Sequence, residues 1–326
     1  MLHLIGPVGI YHLEGDKNIL LIADDHINNV KCSISSSNSV AEHVSLLDFL
    51  DHNITSSPEV VDFFIETDYV KNGECKGYNI EGDLFLKHVI QHYLEYLNAD
   101  KTKCPDKHLR MHYCDVRSLL PHVTEYELRT SLMVLDILAA DGNIFSLYEE
   151  SSKWITRLSN SIIIPEDWTQ IESNLKIKNQ LEKITNIELK AKLQDLFQTK
   201  RTLTQDKLVN YFTRLTELTK GRLLHPFIAL SSSIMDFICS TLNQLNDEYY
   251  TSYASFMDVY LLARLFSPHT SKNVIIYAGY DHINTYVNLL SQLNYKVKFQ
   301  NTSHQENIDF QCVDISNLQQ PIFHAK

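Results

Sequence analysis

The chain has 326 residues, 44% of them hydrophobic, and a formal net charge of -11. That length buries a real core, as one large domain or two ordinary ones, while no apolar run reaches the roughly 20 residues that span a bilayer. The acidic balance argues against a nucleic-acid groove, whose affinity rests on neutralising phosphates, so neither nucleic acid nor membrane is an expected partner, and nothing in the composition points to a particular oligomeric state.

The first residues, "MLHLIGPVGIYHLEGD", lack a basic n-region and carry His3, His12 and Glu14, which does not read as a signal peptide. "GIYHLE" (9–14) and "NILLIADDH" (18–26) bracket a Gly15-Asp16 turn and predict a hairpin. The second member is continuously apolar, as in a strand buried on both faces. After the Ser-rich loop 33–39, "SVAEHVSLLDFLDH" (39–52) has helical period, with Val40, Val44, Leu47 and Leu50 on one side. "VVDFFIETDY" (60–69) is the next strand, "LFLKHVIQHYLEYL" (84–97) a helix, and "LRMHYCDVR" (109–117) a strand. This alternation implies an α/β fold with a mostly parallel sheet.

The middle differs. "TEYELRTSLMVLDILAA" opens with a capping box, Thr124 with Glu127, and residues 165–245 are helical and polar, broken near Lys220-Gly221. A helical insertion or cap over 121–247 would then separate the two halves of the core, 1–120 and 248–326. "SYASFMDVYLLARLF" (252–266) leads as a helix into "VIIYAGYDHINTYVNLLSQLNYKVKF" (274–299), which reads strand, turn, helix, strand. "IDFQCVDI" (308–315) suits an edge strand. The six cysteines, Cys32, Cys75, Cys104, Cys114, Cys239 and Cys312, show no metal spacing and read as free thiols in a reducing, cytoplasmic compartment.

In open α/β sheets, ligand sites form beyond the carboxyl ends of the strands. That rule selects Asp24, Asp25 and His26; Glu66, Thr67 and Asp68; Asp115 and Arg117; and Asp281 and His282. Paired histidines with carboxylates suit a divalent cation (Mn, Co, Zn or Fe) or a general acid/base pair acting on water. A histidine after a buried strand also serves as a plain helix cap or loop donor, and an aspartate in "ADDH" as an N-cap. His88, His92 and Glu95 share a helix face that the apolar residues leave to solvent, without the general base of an H-E-x-x-H motif. His112 and Cys114 alternate onto one strand face with no activating neighbour in the sequence. No nucleophile elbow, P-loop or dinucleotide fingerprint is present, and "SSSIMDFICS" is a Ser-rich helix start.

"YAGYDHINTYVNLLSQLNYKVKF" resembles the C-terminal signature of the Tiki/TraB/erythromycin-esterase/ChaN-like superfamily: a strand ending in Gly-x-x-His, a helix, and a further strand. "IYHLEGDKNILLIADDH" is similar to that superfamily's first Gly-x-x-His motif, with Ala23 where glycine is usual. "VVDFFIETDY" resembles its strand ending in a glutamate. The resemblance covers about 110 residues in pieces. It implies a cleft lined by His26, Glu66 and His282. Members of the superfamily are described as metal-dependent proteases, as esterases using a histidine base, or as haem or iron binders. The family's arginine falls at Met257, followed here by Asp258; Arg264 stands two turns on, roughly 10 Å along the axis, and Arg117 ends another strand.

The expectation is a hydrolase of ester or amide bonds. His26, Glu66 and His282 would be catalytic, with Arg117 or Arg264 supplying the guanidinium. Where a divalent metal is used, His26, Glu66, His282, Asp25 and Asp281 would hold it. The alternative is a non-enzymatic binding protein with a degenerate site, favoured by the Ala23 and Met257 departures; an iron or haem carrier is the third. The Asn-, Ile- and Lys-containing composition suits a large DNA virus, and hence host cytoplasm.

Overall fold

A computed structural model describes residues 2–25, 42–67, 85–98, 108–116, 137, 149–150, 153, 173, 176–199, 202, 206, 210, 213, 240, 244, 254–303 and 312–324. The strands are β1 (Leu2–Ile5), β2 (Gly9–Glu14), β3 (Asn18–Asp24), β4 (Glu42–Ser45), β5 (Val61–Ile65), β6 (Leu109–Tyr113), β7 (Asn273–Gly279), β8 (Lys296–Thr302) and β9 (Cys312–Asp314). The helices are α1 (Leu46–Thr55), α2 (Phe85–His92), α3 (Leu94–Asn98), α4 (Ile177–Glu182), α5 (187–199), α6 (254–265) and α7 (Tyr280–Gln292). Among the described residues, no helix is long and apolar enough to cross a membrane.

The protein is a mixed α/β fold. Its main sheet has the order β6-β5-β7-β3-β2-β8. β6, β5, β7 and β3 run parallel, and β2 pairs antiparallel with β3 and β8. Continuous apolar runs form the middle of this sheet because both faces are covered: every residue of β5 and β7 is buried. One face, carrying Leu20, Ile22, Phe63, Ile65, Ile275 and Tyr277, packs into the core with α1, α2 and the smaller sheet. The other receives α7, which buries His282, Ile283, Tyr286, Leu289 and Leu290. There Tyr11 Oη on β2 donates to Asn284 Oδ1 on α7 at 3.3 Å.

The β2–β3 hairpin places Gly9 opposite Ala23. A Cβ on Gly9 would lie 3.3 Å from the Ala23 methyl and 3.2 Å from Thr302 Cγ2. The glycine is thus on the neighbouring strand, and its missing side chain makes room for Ala23.

The expected helix over 39–52 begins later, at Leu46. Residues 42–45 extend instead and pair parallel with β1, which also pairs antiparallel with β9 in a β4-β1-β9 sheet. Ser45 ends the strand and caps the helix, its Oγ accepting from Asp48 N at 3.1 Å and donating to Asp48 Oδ2 at 2.6 Å. The predicted helix over 84–97 is broken at Tyr93 into α2 and α3. The Ser-rich loop, the capping box at Thr124 and the break near Lys220 lie outside the described residues.

The chain divides into two compact units. The first comprises 1–116, 183–189 and 260–326 and holds both sheets; the second comprises 117–182 and 190–259. The second unit is helical over 177–182, 190–199 and 254–259. Cys312 is disulfide-bonded, so the expectation of free thiols throughout does not hold for it.

Candidate functional site at the carboxyl edge of the sheet

β3, β5 and β7 end side by side, because β7 lies between the other two in parallel register with both. Asp24 is paired with Gly279, and Glu66 follows the Ile65–Tyr277 pair. Glu66 N donates to Tyr277 O at 2.9 Å, which holds the first residue beyond β5 in line with the sheet. Two carboxylates therefore flank the turn from β7 into α7, each 2% exposed.

Glu66 Oε2 accepts the Gly279 N–H at 2.6 Å. Gly279 is the N-cap of α7 and has no side chain to do that work, so the cap comes from the neighbouring strand. Its φ of -56° and ψ of 151° are values any residue adopts; the turn imposes no left-handed backbone. The other Glu66 oxygen, Oε1, lies 3.8 Å from His282 Nε2 in the first turn of α7. That separation is ion-pair range and longer than a hydrogen bond. His282 is 9% exposed and stacks over Tyr286, one turn along α7, with ring centroids 6.4 Å apart.

On the opposite face of the sheet, Tyr277 Oη donates to Asp24 Oδ2 at 2.6 Å. Burial pushes the Tyr277 phenol well above its ordinary pKa, and the Asp24 and Glu66 carboxylates add to the effect. Asp24 is thereby held in place by a hydrogen bond, while its neighbour Asp25 is half-buried at the strand end.

The carboxyl edge thus brings Glu66 and His282 together, with Asp24 and Tyr277 beside them. Asp281 is exposed. Asp115 is buried after β6. His26, Asp68 and Arg117 lie outside the described residues. Glu66 and His282 supply one carboxylate and one imidazole, and among the described residues no group of three His, Cys, Asp or Glu side chains is arranged to hold a metal ion.

Arg264 is engaged elsewhere on the α7 face. Its Nη2 lies 2.7 Å from His112 Nδ1, and its Nη1 donates to Tyr260 Oη at 3.1 Å and to Tyr113 O at 3.4 Å. His112 Nε2 is 2.6 Å from Asp62 Oδ1. Asp62 also receives Arg110 Nε on Oδ1 at 2.8 Å, Arg110 Nη2 on Oδ2 at 2.6 Å, and the Ser271 N–H on Oδ2. Four donors thus meet the roughly four acceptor sites of a carboxylate. Burial alone would raise the Asp62 pKa, but the hydrogen bonds from His112, Arg110 and Ser271 outweigh it and hold the carboxyl well below the usual range.

Sequence reasoning did not find this cluster. Its signal was an aspartate inside the apolar run "VVDFFI", in register with Arg110 on the neighbouring strand. An aspartate–histidine pair invites comparison with a nucleophile-activating dyad. Here, however, the second ring nitrogen faces Arg264 rather than a nucleophile, and the nearby thiol Cys114 is fully buried. On α2 and α3, His88, His92 and Glu95 are exposed, and His92 Nε2 meets Asp51 Oδ2 on α1 at 3.1 Å.

Residues 226–321, which include β7, α7 and β8, match a family of unknown function, DUF5847. No curated protein matches the chain. No solved structure matches it either.

Proposed function

We propose that the carboxyl edge of the main sheet is a hydrolytic site for an ester or amide, with His282 as the base that takes a proton from water and Glu66 as the carboxylate that orients and charge-balances it. One observation carries this reading: a buried glutamate pinned by a backbone N–H presents its second oxygen 3.8 Å from a buried imidazole nitrogen. The amino end of α7 lies beside both groups and supplies partial positive charge where an oxyanion develops.

The test is hydrolysis of a panel of nitrophenyl esters and peptide anilides by the full chain, with and without chelator and with Mn, Co, Zn and Fe restored. Turnover of at least one class is expected. His282→Asn should lower kcat by about a hundredfold or more, in the range of a lost general base, while the thermal midpoint is retained. A wild-type chain that is folded but inert on the whole panel under every metal condition would overturn the reading.

A second reading has its own observation. Glu66 Oε2 already serves as the cap of α7, which is the work of a structural carboxylate in a binding protein that keeps the fold and a degenerate site. Under that reading His282→Asn changes ligand capture or stability and leaves no catalytic deficit to measure.

A further inference from the structure

We propose that Asp62, His112 and Arg264 form an acid-released latch that holds residues 260–265 against β6. A guanidinium has only N–H donors, so at 2.7 Å the Arg264 Nη2 must donate and His112 Nδ1 must accept. The ring hydrogen then sits on Nε2 and donates to Asp62 Oδ1 at 2.6 Å. Both ring nitrogens are committed, one as acceptor and one as donor, and the imidazole is neutral in this arrangement.

If that nitrogen gains a proton, Arg264 loses it as an acceptor and keeps only weaker or same-helix acceptors among those described, Tyr113 O at 3.4 Å and Tyr260 Oη at 3.1 Å. From β5, Asp62 faces the ring and Phe64 stacks on it at 4.7 Å and 27°. From β6 itself, Arg110 shares the Asp62 carboxylate. From 260–265 come Arg264 and Tyr260, with the Arg264 guanidinium 5.6 Å from the Phe64 ring centre and 5.4 Å from that of Tyr260. From the turn before β3, the Lys17 ammonium donates to Thr270 O at 2.9 Å and Ser271 O at 2.8 Å, and its charge is felt at Asp62. A proton on His112 adds a cation to this cluster and turns the 2.7 Å contact with Arg264 into two donors facing each other. Burial pushes the His112 pKa down, Asp62 pulls it up and Arg264 adds to the lowering, with a net fall. Arg264 Nη2 must therefore leave Nδ1 for the ring to charge.

A histidine in the open form takes up a proton near the ordinary value of about 6.5, while the latched ring does not. Below that pH the opening equilibrium rises about tenfold per pH unit, the slope of one proton. Asp62, held well below the usual carboxylate range, stays charged across the window and does not contribute to it.

The experiment uses the full chain labelled with nitrogen-15. Ring-nitrogen spectra of His112 are recorded from about pH 8 to pH 5, alongside hydrogen exchange of the amides of 260–265 and β6 corrected for intrinsic rates. The expected result is a neutral ring with its proton on Nε2, and protection in 260–265 that falls about tenfold per pH unit below the ordinary histidine value. Arg264→Met should raise the pH at which His112 titrates and remove the pH dependence of that protection. A proton on Nδ1, a charged ring at neutral pH, or protection indifferent to pH would each overturn the latch, and the wild-type spectra alone decide if the variant does not fold. None of these readouts depends on hydrolytic activity.

Discussion

Glu66 does two kinds of work through its two oxygens, and substitution separates them. Glu66→Ala leaves the buried Gly279 N–H without its acceptor, a loss of about 1–3 kcal/mol. Glu66→Gln keeps an acceptor oxygen for that N–H but removes the charge beside His282. The expected outcome in urea titrations is that Ala destabilises clearly and Gln by less, whereas in the hydrolysis assay both are impaired; equal destabilisation by the two would show that the cap does not depend on geometry. Asp62 is the other residue whose charge the fold relies on. Because its folded pKa is depressed, the stability it contributes is complete above the ordinary carboxylate range and is lost as pH falls through and below it. Asp62→Asn should cost on the order of 3 kcal/mol at neutral pH, the lower end for a buried pair because the Arg110 side chain keeps 40% of its surface in solvent. The gap between variant and wild type should narrow as both are taken into acid.

Among the elements, the junction of β4 and α1 shows how local pattern and long-range pairing compete. Apolar residues at 40, 44, 47 and 50 satisfy helical spacing, yet 42–45 extend because β1 offers an open edge whose other side is filled by β9, some 270 residues downstream. Ser45→Ala should lower stability by about 1 kcal/mol by removing the cap, measured as a shift in the urea midpoint. The hairpin of β2 and β3 and the succession β7, α7, β8 were legible because their turns and periodicities are contained in short stretches. Glu66 and His282 were legible as neighbours through the strand-end rule alone. Their mutual geometry was not, since it depends on α7 being capped from β5. The Asp62 cluster was hidden for a related reason: its members at 62, 110, 112, 264 and 271 meet only once the parallel register of β5 and β6 is set. Gly279 was legible as the boundary between strand and helix, and its backbone lies in an ordinary region.

At the scale of the whole molecule, the main sheet is held together by its middle. β7 pairs with β3 over residues 18–24 and with β5 over 61–65, so the strand that joins the two halves comes from the distal part of the chain. A chain stopped at residue 271 retains the β2–β3 and β5–β6 pairs but loses their common neighbour. It is expected to show no cooperative thermal transition by circular dichroism; an unchanged melt would contradict the central role of β7. The same topology sets a condition on synthesis. At about 5–20 residues per second, the ribosome needs roughly 10–40 s to make the 200 or so residues between β5 and β7. Throughout that interval two apolar half-sheets, "NILLIAD" and "VDFFI" at their open edges, stand exposed with hydrogen-bonding groups unpaired. Nascent chains are therefore a period of aggregation risk in which a holding chaperone has a defined client surface, and that risk ends when Asn273–Gly279 clears the exit tunnel and closes the gap.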